Sequence, residues 1–239
     1  MSPRLILARH GETAWTLTGA HTSTTDLPLT ARGRATISLV AGQSVGAGRA
    51  IDPARLSHVF VSPRLRARET LDLLLPAAAR TGSTVAVDER CREWGYGEYE
   101  GLPPAEIRAR RRQAGLDTLR PWDIWVDGTP GADGETAQSV ADRIDDLIAD
   151  VRRIQAHALR GGDREAADDR DVLIVAHGHF LRAFVKRWVG LPLASPLLLV
   201  LDPGGIAVMG YAHGRVEEPA WVVGGVFGLA DVPVGDGGN

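Results

Sequence analysis

Short apolar runs that end abruptly on polar, glycine-marked residues recur along this chain. Leu5-Ile6-Leu7-Ala8 stops at Arg9-His10-Gly11-Glu12-Thr13, and Val172-Leu173-Ile174-Val175-Ala176 stops at His177-Gly178-His179. Four or five consecutive small or branched apolar residues predict strands covered on both faces, as in parallel sheets. Open α/β sheets bind ligands at the carboxyl edge of their strands. Two strand-end histidines far apart in sequence are therefore expected to meet in one pocket. His58-Val59-Phe60-Val61 and Val85-Ala86-Val87 predict two more strands, the second leading to Arg92-Glu93-Trp94-Gly95-Tyr96-Gly97, another polar exit marked by glycine. Residues 205–212 and 221–226 supply two further strand candidates.

Between these runs the apolar period changes to that of helices. Thr30 reads as the N-cap of a helix over residues 31–43, and Ser62-Pro63 as the cap of one over 64–75 that stops at Pro76. Thr136 opens the clearest helix, with Val140, Ile144, Leu147, Ile148, Val151 and Ile154 on one stripe, ending near Gly161-Gly162. Residues 14–29 read as a loop over the pocket mouth, 163–171 as a solvated charged loop and 231–239 as a flexible tail. Residues 103–135 hold prolines, a basic helix, Trp122, Trp125 and a glycine-rich turn. So long a stretch of weak pattern is usually functional, and a lid or substrate segment is expected there. Strands alternating with helices predict the α/β class.

Composition narrows the function. The 239 residues, 44% of them apolar, suit one domain over residues 1–230, with no internal repeat to divide it. A net charge of −3 and a pI near 6.2 give no global attraction to nucleic acid or membrane. Cys91 is the only cysteine, which rules out an internal disulfide and a multi-cysteine metal site and points to a reducing compartment. The chain enters its first strand within four residues, which leaves no room for a signal peptide, and no apolar run approaches the roughly 20 residues of a membrane span. A cytoplasmic protein is expected; the sequence leaves the oligomeric state open.

The pocket residues suggest phosphoryl chemistry. A neutral imidazole is a competent nucleophile toward phosphorus, and a phosphohistidine divides one hard displacement into two easier ones. Arg9 beside His10 would bind phosphate oxygens with its planar fork and lower the histidine pKa. Arg66, near the start of a predicted helix, lies where backbone N–H groups favour an anion. Glu93 at its own strand exit is the candidate proton donor to the leaving oxygen. Arg9, Arg66 and a protonated His177 are expected to clamp the transferring group.

Arg-His-Gly-Glu-Thr at 9–13, Ser-x-x-x-Arg-Ala-x-x-Thr at 62–70, Glu-x-x-x-Gly-x-x-Glu-Gly at 93–101 and Ala-His-Gly at 176–178, in this order, resemble the histidine phosphatase superfamily, also called phosphoglycerate mutase-like. Thr25-Asp26-Leu27-Pro28-Leu29-Thr30, residues 62–68, residues 92–101, Arg120-Pro121-Trp122-Asp123-Ile124-Trp125 and residues 176–179 look closest to its fungal sedoheptulose-1,7-bisphosphatase branch. The resemblance implies a three-layer α/β/α fold with a mixed, mostly parallel sheet, His10 as phosphoryl acceptor, Glu93 as proton donor, and Arg9, Arg66 and His177 as phosphate ligands. It implies no metal and no cofactor, and a phosphorylated small molecule as partner. Thr16 and Thr22 match loop positions that touch phosphate in relatives, and Gly178 and His179 are placed at the substrate. Two departures bear on the substrate end: the usual Thr-Gly is Thr22-Ser23 here, and His21 stands before it where an aromatic residue is common.

His177 and His179 would chelate a metal if a third ligand joined them, and His179 would otherwise contact substrate or cap structure. The arginines at 108, 110, 111 and 112 form a solvated helix face or lend one member to a second phosphate. Trp122 and Trp125 anchor the 103–135 segment or border a sugar. Arg64, Arg68 and Arg182 pair with carboxylates or support the site. The preferred function is a sugar-bisphosphate phosphatase. The alternatives are a broad small-molecule phosphatase, a mutase that returns the phosphoryl group to substrate, and a non-catalytic phospho-ligand binder.

Overall fold

The computed structural model describes residues 2–160 and 171–222. Within them, β1 (Leu5–Arg9), β2 (Leu56–Val61), β3 (Thr84–Val87), β4 (Asp171–Ala176), β5 (Ile206–Tyr211) and β6 (Pro219–Trp221) form one sheet in the order β3-β2-β4-β1-β5-β6. The first four of these neighbours run parallel; β5 is antiparallel to β1, and β6 to β5. The helices are α1 (Ala14–Thr18), α2 (Ala31–Ser44), α3 (Leu65–Leu74), α4 (Pro104–Gln113), α5 (Ile124–Asp127), α6 (Ala137–Arg160) and α7 (Gly178–Trp188).

Side chains of a strand point alternately to opposite faces, and both faces here are apolar. Leu5, Leu7, Phe60, Val172 and Ile174 belong to one core cluster with Val140, Ile144 and Leu147 of α6 and Phe180 and Phe184 of α7. Ile6, Ala8, Val59, Val61, Leu173 and Val175 belong to a second, with Ile37 of α2 and Ala67, Leu71 and Leu74 of α3. Helices on both faces of a mixed, mostly parallel sheet make the three-layer α/β/α fold. Each fully buried leucine or isoleucine contributes roughly 1.5–3 kcal/mol, so the central strands have no exposed alternative.

Parallel pairing brings three strand ends to one edge of the sheet. β2, β4 and β1 lie side by side with coincident carboxyl ends, and pairing continues one residue past the strands. The His10 N–H donates to the Ala176 carbonyl at 2.9 Å, and the Ser62 N–H to that of Val175 at 3.0 Å. His10, Ser62 and His177 thus leave that edge together, while β3 leads through a short 3-10 turn, Glu89–Cys91, to Glu93.

Several expectations change. Residues 14–29 are not all loop: Thr13 and Thr16 form a reciprocal capping box that starts α1, and Gly19 ends it at φ 73°. Thr30 caps α2 as expected, accepting from the Gly33 N–H at 2.9 Å. Ser62 does not cap α3 in the usual way, because its hydroxyl lies 2.6 Å from Nε2 of His177. The 103–135 segment carries two helices, α4 and α5. The last strand, expected at 221–226, is found at Pro219–Trp221, and its predicted end at 223–226 lies outside the described residues, as do residues 161–170 and the 231–239 tail.

Asp171, expected in a solvated loop, is instead fully buried at the start of β4. Its carboxylate accepts from the Arg4 backbone at 2.7 Å, from Arg4 Nη2 at 2.6 Å and from Arg55 Nε at 3.2 Å. This ties β4 to the entrance of β1 at the edge opposite the histidines. Removing one partner of a buried ion pair leaves uncompensated charge and costs about 3–5 kcal/mol. Asp171→Ala should therefore lower unfolding free energy by about that amount in denaturant titration, with turnover per folded molecule unchanged.

Candidate active site

The carboxyl edge opens into a cleft of about 440 Å³ lined by Arg9, His10, Thr16, His21, Thr22, Glu93, Tyr96, Gly178, His179 and Arg182, with Trp15, Trp122, Asp123 and Arg108 toward its outer part. Two glycines allow the close approaches behind it. A Cβ on Gly33 would fall 2.4 Å from the Glu12 carbonyl, so α2 reaches the Arg9–Thr13 loop only because that residue is glycine. A Cβ on Gly178 would press on the Arg9 guanidinium at 3.1 Å.

The His10 imidazole has a defined tautomer. Nδ1 lies 2.8 Å from the Gly11 carbonyl, which can only accept, so Nδ1 carries the hydrogen and Nε2 the free lone pair. Burial, followed by the charges of Arg66 and Arg9, holds this ring well below the ordinary histidine pKa. The Gly11 N–H donates to Thr70 Oγ1 at 3.0 Å, and Thr70 in turn donates to the Arg66 carbonyl at 2.7 Å, which fixes the loop onto α3.

Arg9 is held on one side, its Nη1 donating to the Leu201 carbonyl at 2.7 Å. Its Nε is buried without a partner among the described residues. Buried donors are rarely left unpaired, and here the orphan belongs to the arginine beside a neutral imidazole. An anion is the natural acceptor.

Arg66 and His177 are completely buried and stand behind the cleft wall. Arg66 Nε donates to Nδ1 of His177 at 3.2 Å, Nη1 to the Thr25 carbonyl at 3.1 Å, and Nη2 to the carbonyls of Thr22 and Ser23 at 3.0 and 3.4 Å. Because Nδ1 of His177 accepts, Nε2 holds the ring hydrogen and donates to Ser62 Oγ. The expected protonated His177 is thus not what the site holds: burial, then Arg66, then His10 drive its pKa well below the ordinary value, and the ring is neutral. Both ring nitrogens are engaged, which leaves neither for the metal chelate considered with His179. His10 and His177 meet edge to face at 5.1 Å.

Glu93 sits at the start of α7. Its carboxylate accepts from the backbone N–H groups of Trp94, Phe180 and His179 at 2.9, 2.8 and 3.0 Å. Two of those donors are orphan amides of a helix N-terminus, which favour an anion there. Both oxygens are thereby fixed at the cleft wall.

The outer cleft is aromatic. His21 stacks on His179 at 5.7 Å and meets Tyr96 edge-on at 4.5 Å, so it fills the place of the aromatic residue it replaces. Its Nδ1 donates to the Leu102 carbonyl, and the Tyr96 hydroxyl lies 2.7 Å from His179 Nδ1. Burial pushes both imidazoles down and the Tyr96 phenol up, leaving an uncharged wall. Trp122 lines the cleft and packs on Tyr99, whereas Trp125 packs on Trp94 beneath Arg182 and Lys186. Ser23 is buried, its N–H donating to Glu100 at 2.9 Å. Thr16 and Thr22 line the cleft with hydroxyls bonded to the carbonyls of Thr13 and Ala20.

Of the arginine run in α4, Arg108 reaches the cleft, while Arg111 pairs with Asp117 at 2.7 Å. Arg182 donates Nε to the Gly178 carbonyl at 3.1 Å and lies over Trp125. Among the described residues, neither Arg108 nor Arg182 is paired with a carboxylate. Sequence reasoning missed Glu135 and Arg143, a buried pair behind Glu93. Its one signal was a charge three residues after Val140, on the apolar stripe of α6.

A neutral histidine with a free Nε2, an arginine with a buried N–H that has no partner among the described residues, and a carboxylate meet at one cleft, an arrangement suited to a phosphoryl group. The sequence agrees: residues 5–223 match the family model of the histidine phosphatase superfamily, branch 1, and the chain belongs to that superfamily. It is a phosphatase. Sedoheptulose 1,7-bisphosphatase of Saccharomyces cerevisiae is 36% identical over 263 residues, covering 95% of this chain and 94% of that protein. An acid phosphatase of Mycobacterium tuberculosis is 40% identical over 212 residues, covering 88% of each. The solved structure of the open reading frame Rv3214 from M. tuberculosis superposes with a TM-score of 0.72 at 33% identity, covering 95% of this chain and 99% of that one.

Depressed histidine pKa values predict a direction for pH dependence. Below about pH 6.5 the unfolded chain takes up protons that the buried rings refuse. Stability from these groups is complete above that pH and is lost as pH falls toward the depressed native values. Histidine NMR titration, assigned with His10→Ala and His177→Ala, should find both rings still neutral at pH 6, with unfolding free energy declining from pH 6.5 downward.

Proposed function

We propose that this phosphatase hydrolyses a phosphorylated sugar, with sedoheptulose-1,7-bisphosphate or a related bisphosphate as substrate, through a phosphohistidine on His10. The observation that carries the reading is the His10 tautomer: Nε2 keeps its lone pair while Nδ1 is bound to the Gly11 carbonyl, next to the unpartnered Nε of Arg9. Nε2 attacks phosphorus as the bond to the sugar oxygen breaks, and that oxygen takes a proton from Glu93, which enters the step as the carboxylic acid and leaves it as the carboxylate that the Trp94, His179 and Phe180 N–H groups hold. The Glu93 carboxylate then accepts a proton from water, whose oxygen forms the new bond to phosphorus as the N–P bond breaks. Inorganic phosphate leaves, and His10 and Glu93 return to their starting states. Arg9 and the backbone N–H of Gly178 balance the phosphoryl charge, with Thr16 and Thr22 at its margin and His179 beside the sugar. Arg66 and His177 act from behind, one as a fixed positive charge and the other as its hydrogen-bonded partner. No metal enters the scheme.

A second acidic group on the substrate is supported by Arg108 and Arg182. Two guanidiniums without carboxylate partners on a cleft wall favour an anion beyond the reacting phosphate, and arginine binds phosphate through parallel N–H bonds. The fungal bisphosphatase relative agrees with that substrate class.

Phosphate release from sugar bisphosphates, sugar monophosphates, glycerates and an aryl phosphate, with chelator present, tests the reading. A sugar bisphosphate should react best, indifferent to chelator, with His10→Ala lowering the rate at least about 10⁴-fold; near-normal activity in that variant would refute the phosphohistidine. Even release across the panel would keep the phosphatase and refute the bisphosphate. Arg182→Ala should raise KM for the bisphosphate about tenfold, with little change for a monophosphate.

A further inference from the structure

Behind the cleft, on the side of Glu93 away from substrate, a buried ion pair grips the backbone that carries this carboxylate. Arg143 projects from α6 between the buried residues Val140, Ile144 and Leu147 and is itself almost entirely buried. Its Nη1 donates to the Arg90 and Arg92 carbonyls at 2.8 and 2.9 Å, and its Nη2 to the Glu93 carbonyl at 3.3 Å. Nε and Nη2 also donate to the two oxygens of Glu135, both at 2.9 Å. Glu135 then holds the other flank: it accepts from the Gly95 N–H at 2.8 Å and from Arg92 at 2.7 Å, and its own N–H donates to the Gly95 carbonyl at 3.0 Å. The Trp94 indole donates to the Glu135 carbonyl at 3.1 Å. A Cβ on Gly95 would lie 2.3 Å from the Asp133 carbonyl, so only glycine admits this contact.

The pair therefore fixes residues 90, 92, 93 and 95 from one point. The Phe180 ring lies against the Arg143 guanidinium at 5.4 Å, and the Phe180 N–H holds Glu93 Oε1. Burial alone would raise the Glu135 carboxyl, but its bonds to Arg143 outweigh this and hold it below the usual range, so the pair stays charged. Two buried charges are a costly way to stabilise a core, and apolar replacements of equal volume often do as well. What apolar side chains cannot supply is four directed hydrogen bonds to the peptide groups around one carboxylate.

We propose that Arg143 and Glu135 are positioning residues for the proton donor, holding Glu93 at the leaving oxygen without touching substrate. The inference rests on the donor role given to Glu93 above, and the test separates the two. A sugar alkoxide is a poor leaving group that needs the proton, whereas an activated aryl phosphate such as p-nitrophenyl phosphate leaves without one. First-turnover release of alcohol or phenol from enzyme in excess isolates transfer to His10 from later hydrolysis. Geometric misplacement near 1 Å can cost about 100-fold, so Arg143→Gln and Glu135→Gln should slow the first turnover of the sugar phosphate tenfold to 100-fold. KM should change little, and the aryl phosphate rate should stay within about twofold.

Glu93→Gln is the reference. If it slows both substrates equally, the donor role fails and the proposal with it. If it slows only the sugar phosphate while folded Arg143→Gln and Glu135→Gln slow both or neither, the donor role stands and the positioning role is refuted. Should Arg143→Gln fail to fold, Glu135→Gln decides, since it keeps the volume and one carbonyl acceptor for Arg143.

Discussion

Everything at this site hangs from the parallel pairing of β4 between β1 and β2, extended one residue beyond the strands by the amides of His10 and Ser62. A parallel ladder has evenly spaced bonds and equal orientation, so three loops must leave the same edge at neighbouring positions. Adjacent strands stand about 4.8 Å apart, so His10, Ser62 and His177 leave the edge within reach of one another. The opposite edge is closed by Asp171 with Arg4 and Arg55, so register is fixed at one end and chemistry is placed at the other.

Charge is arranged in layers around that edge. Neutral imidazoles lie nearest the cleft and guanidiniums lie behind or beside them. Burial dominates the lowered pKa of His10 and His177, and Arg66 is the next cause in both. Arg66 thus acts twice: its field keeps the rings neutral, and its N–H groups gather the carbonyls of residues 22, 23 and 25 into the pocket rim. An arginine fits this place better than a lysine because its fork points donors in fixed directions.

Much of this was legible in the sequence, because strand-end polar residues are the surface trace of a parallel sheet. His10, Arg9, Glu93, Thr16, Thr22, Gly178 and His179 do converge on one cleft. The helix over residues 137–160 followed its apolar stripe, and the Thr30 cap followed local chemistry. What sequence could not give was direction. Arg66 and His177 were expected at the anion and stand behind the wall, since spacing along a chain does not say which way a buried side chain turns. Ser62 could cap a helix or hold a histidine; only the tertiary partner decides. Asp171 looked solvated because it ends a charged run, and its arginines come from distant segments. Arg143 was hidden for the same reason, its partners lying in a segment without periodic pattern.

The 103–135 segment is tied to the rest along its length: Arg111 donates to the Tyr99 hydroxyl at 2.9 Å, the Pro130 carbonyl accepts from the Glu98 N–H at 3.0 Å, and Glu135 holds residues 92 and 95. Its interior contributes Arg108, Trp122 and Asp123 to the outer cleft. Inheritance can rewrite the part of this stretch that faces the outer cleft, changing what the cleft admits, while Glu135 and the strand edge keep the chemistry. A protein built this way carries its reaction and its choice of substrate on separately variable parts, so lineages sharing the first are free to diverge in the second.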